Sequence, residues 1–583
     1  MSESTLDSGT PTRRAWTWGR AAVLVVVLVV GAALGVDRIV PPPPEPELPV
    51  APEGEARTGS RVCVVGGRGG GAEVSLHLAR PGIEEDLPAR LDVEVVRDGG
   101  LRALPVPELL PGSVVPIEID GAGPLPTRVR WRDAPVAVER SWSTGGRLPP
   151  GLVAGPCAAV VSERAVIPGL TTLGGAEARV RLANPFPGDA SVRIGFLAPE
   201  GPEDPLVLEN ISVPAFETRE VVINEHLPER ADLAAIVDVR AGRVAVEGVQ
   251  AHRAAIGGID AVSLLAASTS PSEQWTLPWL GNGPADRSWL WITNLGSRDA
   301  LVELALATGD GGLVPDGLGE LTVEAGSQLR VDLRGTIPED RDRVSLVVRS
   351  PGAPVHVSAG IERRADRPAD TAMAVQLGIP EPDALWVVTG GPSAERDERL
   401  RLVNPGSEPA VVDVAVFADG RLQTPAEFAG LEVGPGAAAE VRLSEVLGEV
   451  DAWAAFVIAS EGELVVGRVG ERRQPPAAPP PDVDDEAPDD EAPEDAVPDD
   501  EAEGPDEDAP EDAVPDDEAE GPDVDAPDED APDSEEDTRR EPRAFVLAAG
   551  TPSHAFRPLV AGRPVREQPG LVHRFGTATS ELR

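Results

Sequence analysis

The sequence predicts an all-β protein: tandem immunoglobulin-like β-sandwiches after one N-terminal transmembrane helix, with a disordered acidic C-terminal tail. Three observations carry that expectation. Apolar and polar residues alternate with period two through the middle of the chain, as in Arg179-Val180-Arg181-Leu182, the pattern of half-buried strands whose side chains point alternately to the two sheet faces. Asn184-Pro185, Asn294-Leu295 and Asn404-Pro405 recur at a spacing of 110 residues, and their surroundings recur with them. Turn-forming Gly and Pro punctuate these runs, and no amphipathic helix of useful length interrupts them.

Residues 1–15 read as a cytoplasmic N-terminus. Residues 16–36 are mostly apolar, with Ala21–Val36 uninterrupted, and as a helix they span roughly 30 Å, the thickness of a bilayer's hydrocarbon core. Arg13, Arg14 and Arg20 mark the N-terminal side, so the segment is expected to be a signal-anchor that holds the chain in the cell membrane by a single pass, with its N-terminus cytoplasmic and its bulk extracytoplasmic. The rival reading is a cleaved signal peptide with Ala33-Leu34-Gly35 as its small-residue site, which makes the protein secreted. Residues 37–57 are a Pro-rich linker, stiff over Pro41–Pro49.

Four sandwiches are expected next, at 58–150, 151–265, 266–375 and 376–474, strung end to end as a rod. In the last three, Val180 and Leu182 match Leu290 and Ile292, then Leu400 and Leu402. Val192, Ile194 and Phe196 match Val302, Leu304 and Leu306, then Val412, Val414 and Val416. Val237 matches Val347 and Val457, and Arg253 matches Arg363 and Arg473. The first sandwich is a diverged copy: Leu76 and Leu78 precede Arg80-Pro81 as the strand precedes Asn-Pro elsewhere, and Pro111-Gly112 stands for a later turn.

Two cysteines in an extracytoplasmic chain read as a disulfide. Cys63 and Cys157 stand at the entries to the first two sandwiches, so their bridge is expected to fasten one to the other, closing a loop worth roughly 4–5 kcal/mol in the chain-entropy model. Aromatic packing by Trp275, Trp279 and Trp386 is expected at the later entries.

Composition removes much chemistry. Every basic residue other than His is Arg, and the chain has neither Lys nor Tyr, which excludes Schiff-base lysines, a Walker lysine and tyrosine acids. Gly67-x-Gly69-x-x-Ala72 approaches a dinucleotide fingerprint, but the strand-like Val74, Leu76 and Leu78 follow it where a helix is required. His77, His226, His252 and His356 are scattered without metal-ligand spacing. No catalytic, cofactor-binding or metal-binding residue is expected, and no cofactor. Trp289 and Trp291 stand where the other copies have Arg179/Arg181 and Arg399/Arg401, which places them on an outward strand face as a platform for a sugar ring or a partner protein.

Residues 482–537 hold 31 of the 100 acidic side chains and no basic one, so most of the net charge of −49 is local. The chain is not expected to bind nucleic acid, which requires a basic footprint. Residues 475–541 are Pro, Ala, Asp and Glu with little else, and Glu494–Asp506 recurs at Glu511–Asp523; such a stretch cannot bury enough apolar surface to order itself. Residues 542–583 turn basic and read as a further disordered tail.

The anchor, the strand–Asn-Pro–strand repeat and the turns Pro214-Ala215, Ala325-Gly326 and Pro435-Gly436 together resemble an actinobacterial family of uncharacterised secreted or membrane-anchored proteins, domain of unknown function five-seven-one-nine. The resemblance covers about residues 20–474 and implies no activity and no site residue. The expected function is a non-enzymatic cell-envelope protein that binds or scaffolds wall glycan or envelope proteins. The alternatives are a carbohydrate-active enzyme or glycan-binding module, and a regulatory ectodomain. Oligomeric state is not readable from the sequence.

Overall fold

A computed structural model describes residues 58–472, apart from 66–73, 81–88, 120–123, 145–147, 150, 159, 254–259, 316, 339–340, 342, 365–370 and 395, together with 545–549 and 551–552. Trp16–Val36, the expected membrane helix, lies outside the described residues, as does the acidic stretch 475–541. Among the described residues no helix is long and apolar enough to cross a membrane.

The described chain is all-β, with eight sheets that pair into four units. In the first unit, β1 (Gly59–Val65), β2 (Val74–Arg80), β3 (Arg90–Arg97), β4 (Gly100–Ala103), β5 (Ser113–Glu118), β6 (Leu125–Arg132), β7 (Ala137–Thr144) and β8 (Gly151–Pro156) form an A sheet, β1-β6-β3-β4, and a B sheet, β5-β2-β7-β8. The second has β9 (Val160–Val161), β10 (Arg164–Leu170), β11 (Ala176–Asn184), β12 (Ala190–Ala198), β13 (Gly201–Glu203), β14 (Ile211–Val213), β15 (Glu217–Val222), β16 (Leu233–Ala241), β17 (Val244–His252) and β18 (Ala261–Ala266). Its A sheet is β10-β16-β12-β13 and its B sheet β15-β11-β17-β18. The third has β19 (Gln274–Gly281), β20 (Asp286–Asn294), β21 (Ala300–Thr308), β22 (Gly311–Leu313), β23 (Glu320–Val323), β24 (Ser327–Asp332), β25 (Arg343–Arg349), β26 (His356–Arg363) and β27 (Ala372–Leu377), with sheets β19-β25-β21-β22 and β24-β20-β26-β27. The fourth has β28 (Leu385–Gly390), β29 (Arg396–Val403), β30 (Ala410–Ala418), β31 (Arg421–Gln423), β32 (Leu431–Val433), β33 (Ala438–Arg442), β34 (Trp453–Glu461), β35 (Val465–Arg472), β36 (Phe545–Ala549) and β37 (Thr551–Pro552), with an A sheet built on β31-β30-β34-β28-β37 and a B sheet β33-β29-β35-β36. Each unit encloses its own apolar core between its A and B sheets.

The repeated asparagines pin these units. The Asn184 amide donates to the Gly188 and Val213 carbonyls at 2.8 and 3.0 Å and accepts from the Phe186 N–H at 3.1 Å. Asn294 does the same with Arg298, Val323 and Gly296, and Asn404 with Glu408, Val433 and Gly406. Each is buried, so one amide satisfies backbone groups that would otherwise be orphaned beneath a turn. The matched turns also share a backbone: Gly112, Phe216, Gly326 and Gly436 all have φ between 60° and 67°, the left-handed region that glycine enters without steric cost.

The repeat spacing of 110 holds only through the first half of each unit. Opposite Ile194, Leu304 and Val414 stand Val237, Val348 and Val457, so the core residue of the third unit is Val348, not Val347. Likewise His252, Arg363 and Arg472, rather than Arg253, Arg363 and Arg473, share a ladder position, opposite Ala176, Asp286 and Arg396. The third unit has one extra residue between β24 and β25. A slip inside a strand would turn every side chain to the opposite face, so the difference is taken up between strands.

Two expectations about connectivity change. Strand β8, placed by a boundary at 150/151 in the second unit, pairs with β7 and completes the first. The disulfide Cys63–Cys157, with Cα atoms 4.6 Å apart, does not fasten the first unit to the second. Cys63 lies on β1, Cys157 directly follows β8, and both belong to the first unit's core; the bridge ties that unit's first strand to its closing segment. Trp275 and Trp386 also pack within their own units, donating their indole N–H to Val355 and Leu464 carbonyls.

The units form a closed ring, not a rod. The B sheet of each unit packs on the A sheet of the unit before it: the second on the first through Ala183 and Ala245 against Val62 and Val64, the third on the second through Trp289 and Trp291, the fourth on the third through Val469. The first then packs on the fourth, with Ala79, Val114 and Ala137 against Val387, Ala454 and Phe456. At the middle, β8, β18, β27 and β36 lie side by side in a circuit, each touching the next and β36 touching β8. Strand β36 pairs with β35, and β37 pairs with β28, so part of the segment expected as a basic disordered tail completes the fourth unit. Its apolar run Phe545–Ala549 supplies that strand.

Candidate functional site at the seams of the ring

Position in the ladder decides which side chains enter a seam. Leu76, Val180, Leu290 and Leu400 occupy one register position in the four B sheets, and their cross-strand partners are Arg140, Gly248, Ala359 and Arg468. The preceding residues are Glu139, Glu247, Ser358 and Gly467. The first and fourth units thus carry an arginine where the middle two carry a small residue, and the first and second carry a carboxylate one place before it.

These charges meet. Arg468 Nη1 donates to Glu139 Oε1 at 2.8 Å and to the Thr389 carbonyl at 2.9 Å, while its Nε and Nη2 hold both oxygens of Glu398 at 2.9 Å. Thr389 Oγ1 donates to the second oxygen of Glu139 at 3.1 Å. The guanidinium also lies over Trp453, 4.7 Å from the ring centroid. Glu398 sits opposite Gly470, where a Cβ would fall 2.8 Å from its Oε1; the missing side chain leaves room for the carboxylate. Arg140 repeats the arrangement one seam on, pairing with Glu247, donating to the Val64 carbonyl at 2.9 Å and lying over Trp142 at 5.2 Å. Arg181 stands 3.6 Å from the other Glu247 oxygen and donates to Glu220 at 2.8 Å.

Glu139, Arg140, Arg181, Glu247, Glu398 and Arg468 are all buried, and a buried charge persists only when paired and hydrogen-bonded. One guanidinium serves two carboxylates in the Arg468 cluster, which leaves one negative charge in excess. Burial pushes the Glu139 carboxyl up to about 7, against the pull of Arg468 and the Thr389 hydrogen bond, and the neighbouring Glu398 pushes the same way. The two carboxylates hold Arg468 firmly protonated, above its ordinary value despite burial. Cross-strand from Glu139, His77 rests 3.1 Å from Ser141 Oγ; burial first, and Arg468 second, lower its pKa to about 3. His77 is neutral at ordinary pH, and the cluster can hold one exchangeable proton on Glu139.

The other two seams close differently. Trp289 and Trp291 are 8% and 3% exposed and join the second unit's core, so the outward platform expected of them does not exist as a free surface. They face outward from their own unit, and the ring places the second unit there. Trp291 Nε1 donates to Asp232 at 2.8 Å, and a Cβ on Gly169 would fall 2.5 Å from its ring. Trp289 meets Trp291 edge-on at 5.6 Å and lies under Arg330. Between the third and fourth units, Arg401 donates to Ser345 at 3.1 Å and Arg343 pairs with Glu440 at 3.4 Å.

Sequence reasoning singled out Cys63, Cys157, Trp289 and Trp291; the structure joins the first two and sets the tryptophans side by side in a seam. It missed Glu139, Arg140, Glu247, Glu398 and Arg468. Their signal was charge inside apolar runs, as in Val465-Val466-Gly467-Arg468-Val469. Among the described residues no group of three or more His, Cys, Asp or Glu side chains is arranged to hold a metal ion.

Fold and seams together define a ring of four two-sheet β units, joined by buried arginine–carboxylate pairs on both sides of the first unit and by apolar and mixed contacts elsewhere. The chain belongs to the family of unknown function DUF5719, whose model matches residues 131–377 and 380–470. The match begins at the end of β6 and stops within β35, so it takes in the three later units but neither most of the first unit's A sheet nor β36. No curated protein matches the chain.

Proposed function

We propose that this chain is a single-pass, membrane-anchored, extracytoplasmic scaffold of the cell envelope that presents a β ring of immunoglobulin-like units to wall components or envelope proteins without catalysing a reaction. The observation that carries the compartment is the Cys63–Cys157 disulfide in the first unit's core, because structural disulfides form and persist in oxidising surroundings. The apolar run Trp16–Val36 with Arg13 and Arg14 before it supports the anchor. The scaffold reading is supported by the use made of the unusual side chains. The tryptophan pair, the buried arginines and their carboxylates connect units to each other. Family membership adds no activity to this reading.

Protease added to intact spheroplasts tests it. The ring is expected to be accessible from outside while a tag before residue 13 stays protected, and non-reducing gels are expected to show the cysteines oxidised. Protection of the ring, or reduced cysteines in the native protein, contradicts the proposal.

A further inference from the structure

Strands β8, β18, β27 and β36 are equivalent, yet β36 is held differently. Each is followed by a residue that bridges back to the equivalent A-sheet strand of its unit, β1, β10, β19 or β28: Ala158 to Val62, Ser268 to Val166, Ile379 to Thr276, and Pro552 to Trp386. The chain reaches β8, β18 and β27 through residues 145–150, 253–260 and 364–371, and then runs directly into the next unit. It reaches β36 only through residues 473–544, and among the described residues no further unit follows. A connector of that length has a contour of roughly 200 Å at about 3.1 Å per residue, far more than the single hairpin turn needed to reach from Arg472 to Phe545, since Glu471 and Phe545 are ladder partners.

We infer that the gap between β35 and β28 is a strand-acceptor slot, that Phe545–Ala549 and Thr551–Pro552 occupy it as a tethered peptide ligand, and that the same segment of a second copy can take its place. The slot has the requirements for strand addition. The edge of β35 from Gly467 to Glu471 pairs with Ala549 to Phe545, and the edge of β28 at Trp386 and Val387 pairs with Pro552 and Thr551. Main-chain pairing supplies affinity on both edges, and the neighbouring β8 and β27 flank the bound strand. The recognised chemistry is an extended run of five apolar residues. A tether raises local concentration to about the millimolar range, so the chain's own segment holds the slot in dilute solution, and exchange appears when the tether is cut or copies are crowded. This inference holds whichever side of a membrane the ring occupies.

The test uses the full chain with a protease site substituted within 494–506, cut after purification, and a fluorescent peptide spanning 541–556. The C-terminal fragment is expected to co-elute with the ring after cutting, and the peptide to replace it while the ring stays folded. A peptide carrying Leu547→Pro, which sets a proline in the middle of the paired strand opposite Val469, is expected to bind at least about tenfold more weakly. Three results overturn the inference: loss of the fragment on cutting with the ring's thermal transition unchanged, equal binding by both peptides, or a retained fragment that exchanges only when the ring melts.

Discussion

Arg140 and Arg468 stand at the same ladder position of the first and fourth units, and each reaches a carboxylate at one shared position of the unit that follows it, Glu247 and Glu139. The first unit is therefore gripped by a buried ion pair on each side. Arg468 has the heavier task because it neutralises Glu398 as well as Glu139.

Removing it should be correspondingly costly. Arg468→Met is expected to destabilise the folded chain by about 3–5 kcal/mol, since breaking a buried pair from one side strands its partners. Arg140→Met strands Glu247 with Arg181 still nearby, so its effect should be smaller. Chemical denaturation of both variants gives the comparison, and equal effects would contradict the reading.

The Glu139 carboxyl gives the ring a pH dependence of defined sign. Its pKa is raised by burial from about 4.5 to about 7, so folding takes up a proton in between. The stability this contributes is fully present below the unfolded value and is lost as pH rises through 7, by up to about 1.4 kcal/mol per pH unit. Burial lowers His77 to about 3 and both His252 and His356 to about 4, so these groups cost stability as pH falls below 6.5. Glu139→Gln removes the first slope only. Wild type should lose stability relative to this variant steadily from pH 5 to pH 7, and a pH-independent difference would refute the assignment.

Trp291→Ala is expected to behave as a seam mutation. Emptying a buried tryptophan site costs about 3–5 kcal/mol, and the Asp232 carboxylate also loses a hydrogen-bond donor. The measurement is the thermal transition, and a transition within error of wild type would restore a surface role for the pair.

Replacing Cys63 and Cys157 together by Ser is expected to cost about 2–5 kcal/mol and to loosen the first unit alone. Hydrogen exchange should rise in β1 and β8 and leave the amides of β11 and β20 protected. A uniform rise across the four units would mean that the bridge serves the ring as a whole.

Much of each unit was legible in the sequence because it is local. Alternation placed the strands, and Asn184, Asn294 and Asn404 marked a turn that their buried amides do pin. The register of Trp289 and Trp291 was also right: they occupy the face of β20 turned away from their own core. Their environment was not legible, because that face is outward in a single unit and interior once a second unit lies on it. The same limit hid the ring. Glu139 and Arg468 are 329 residues apart, and nothing periodic relates them. Strand β36 was obscured by its place beyond the acidic stretch, although Phe545-Val546-Leu547-Ala548-Ala549 is a short apolar run of the kind that forms a strand elsewhere in the chain. The extra residue before β25 was hidden because β28 lacks the one-residue bulge that β10 and β19 carry, which restores the spacing of 110 at β29.

The claim on which the rest depends is that the last unit closes onto the first. A double-mutant cycle on Glu139→Gln and Arg468→Met measures this directly, because residues so distant in sequence couple only if the ends of the chain's β region meet. A closed ring predicts a coupling energy of about 1 kcal/mol or more, within the range seen for contacting residues. Strict additivity of the two substitutions would contradict closure.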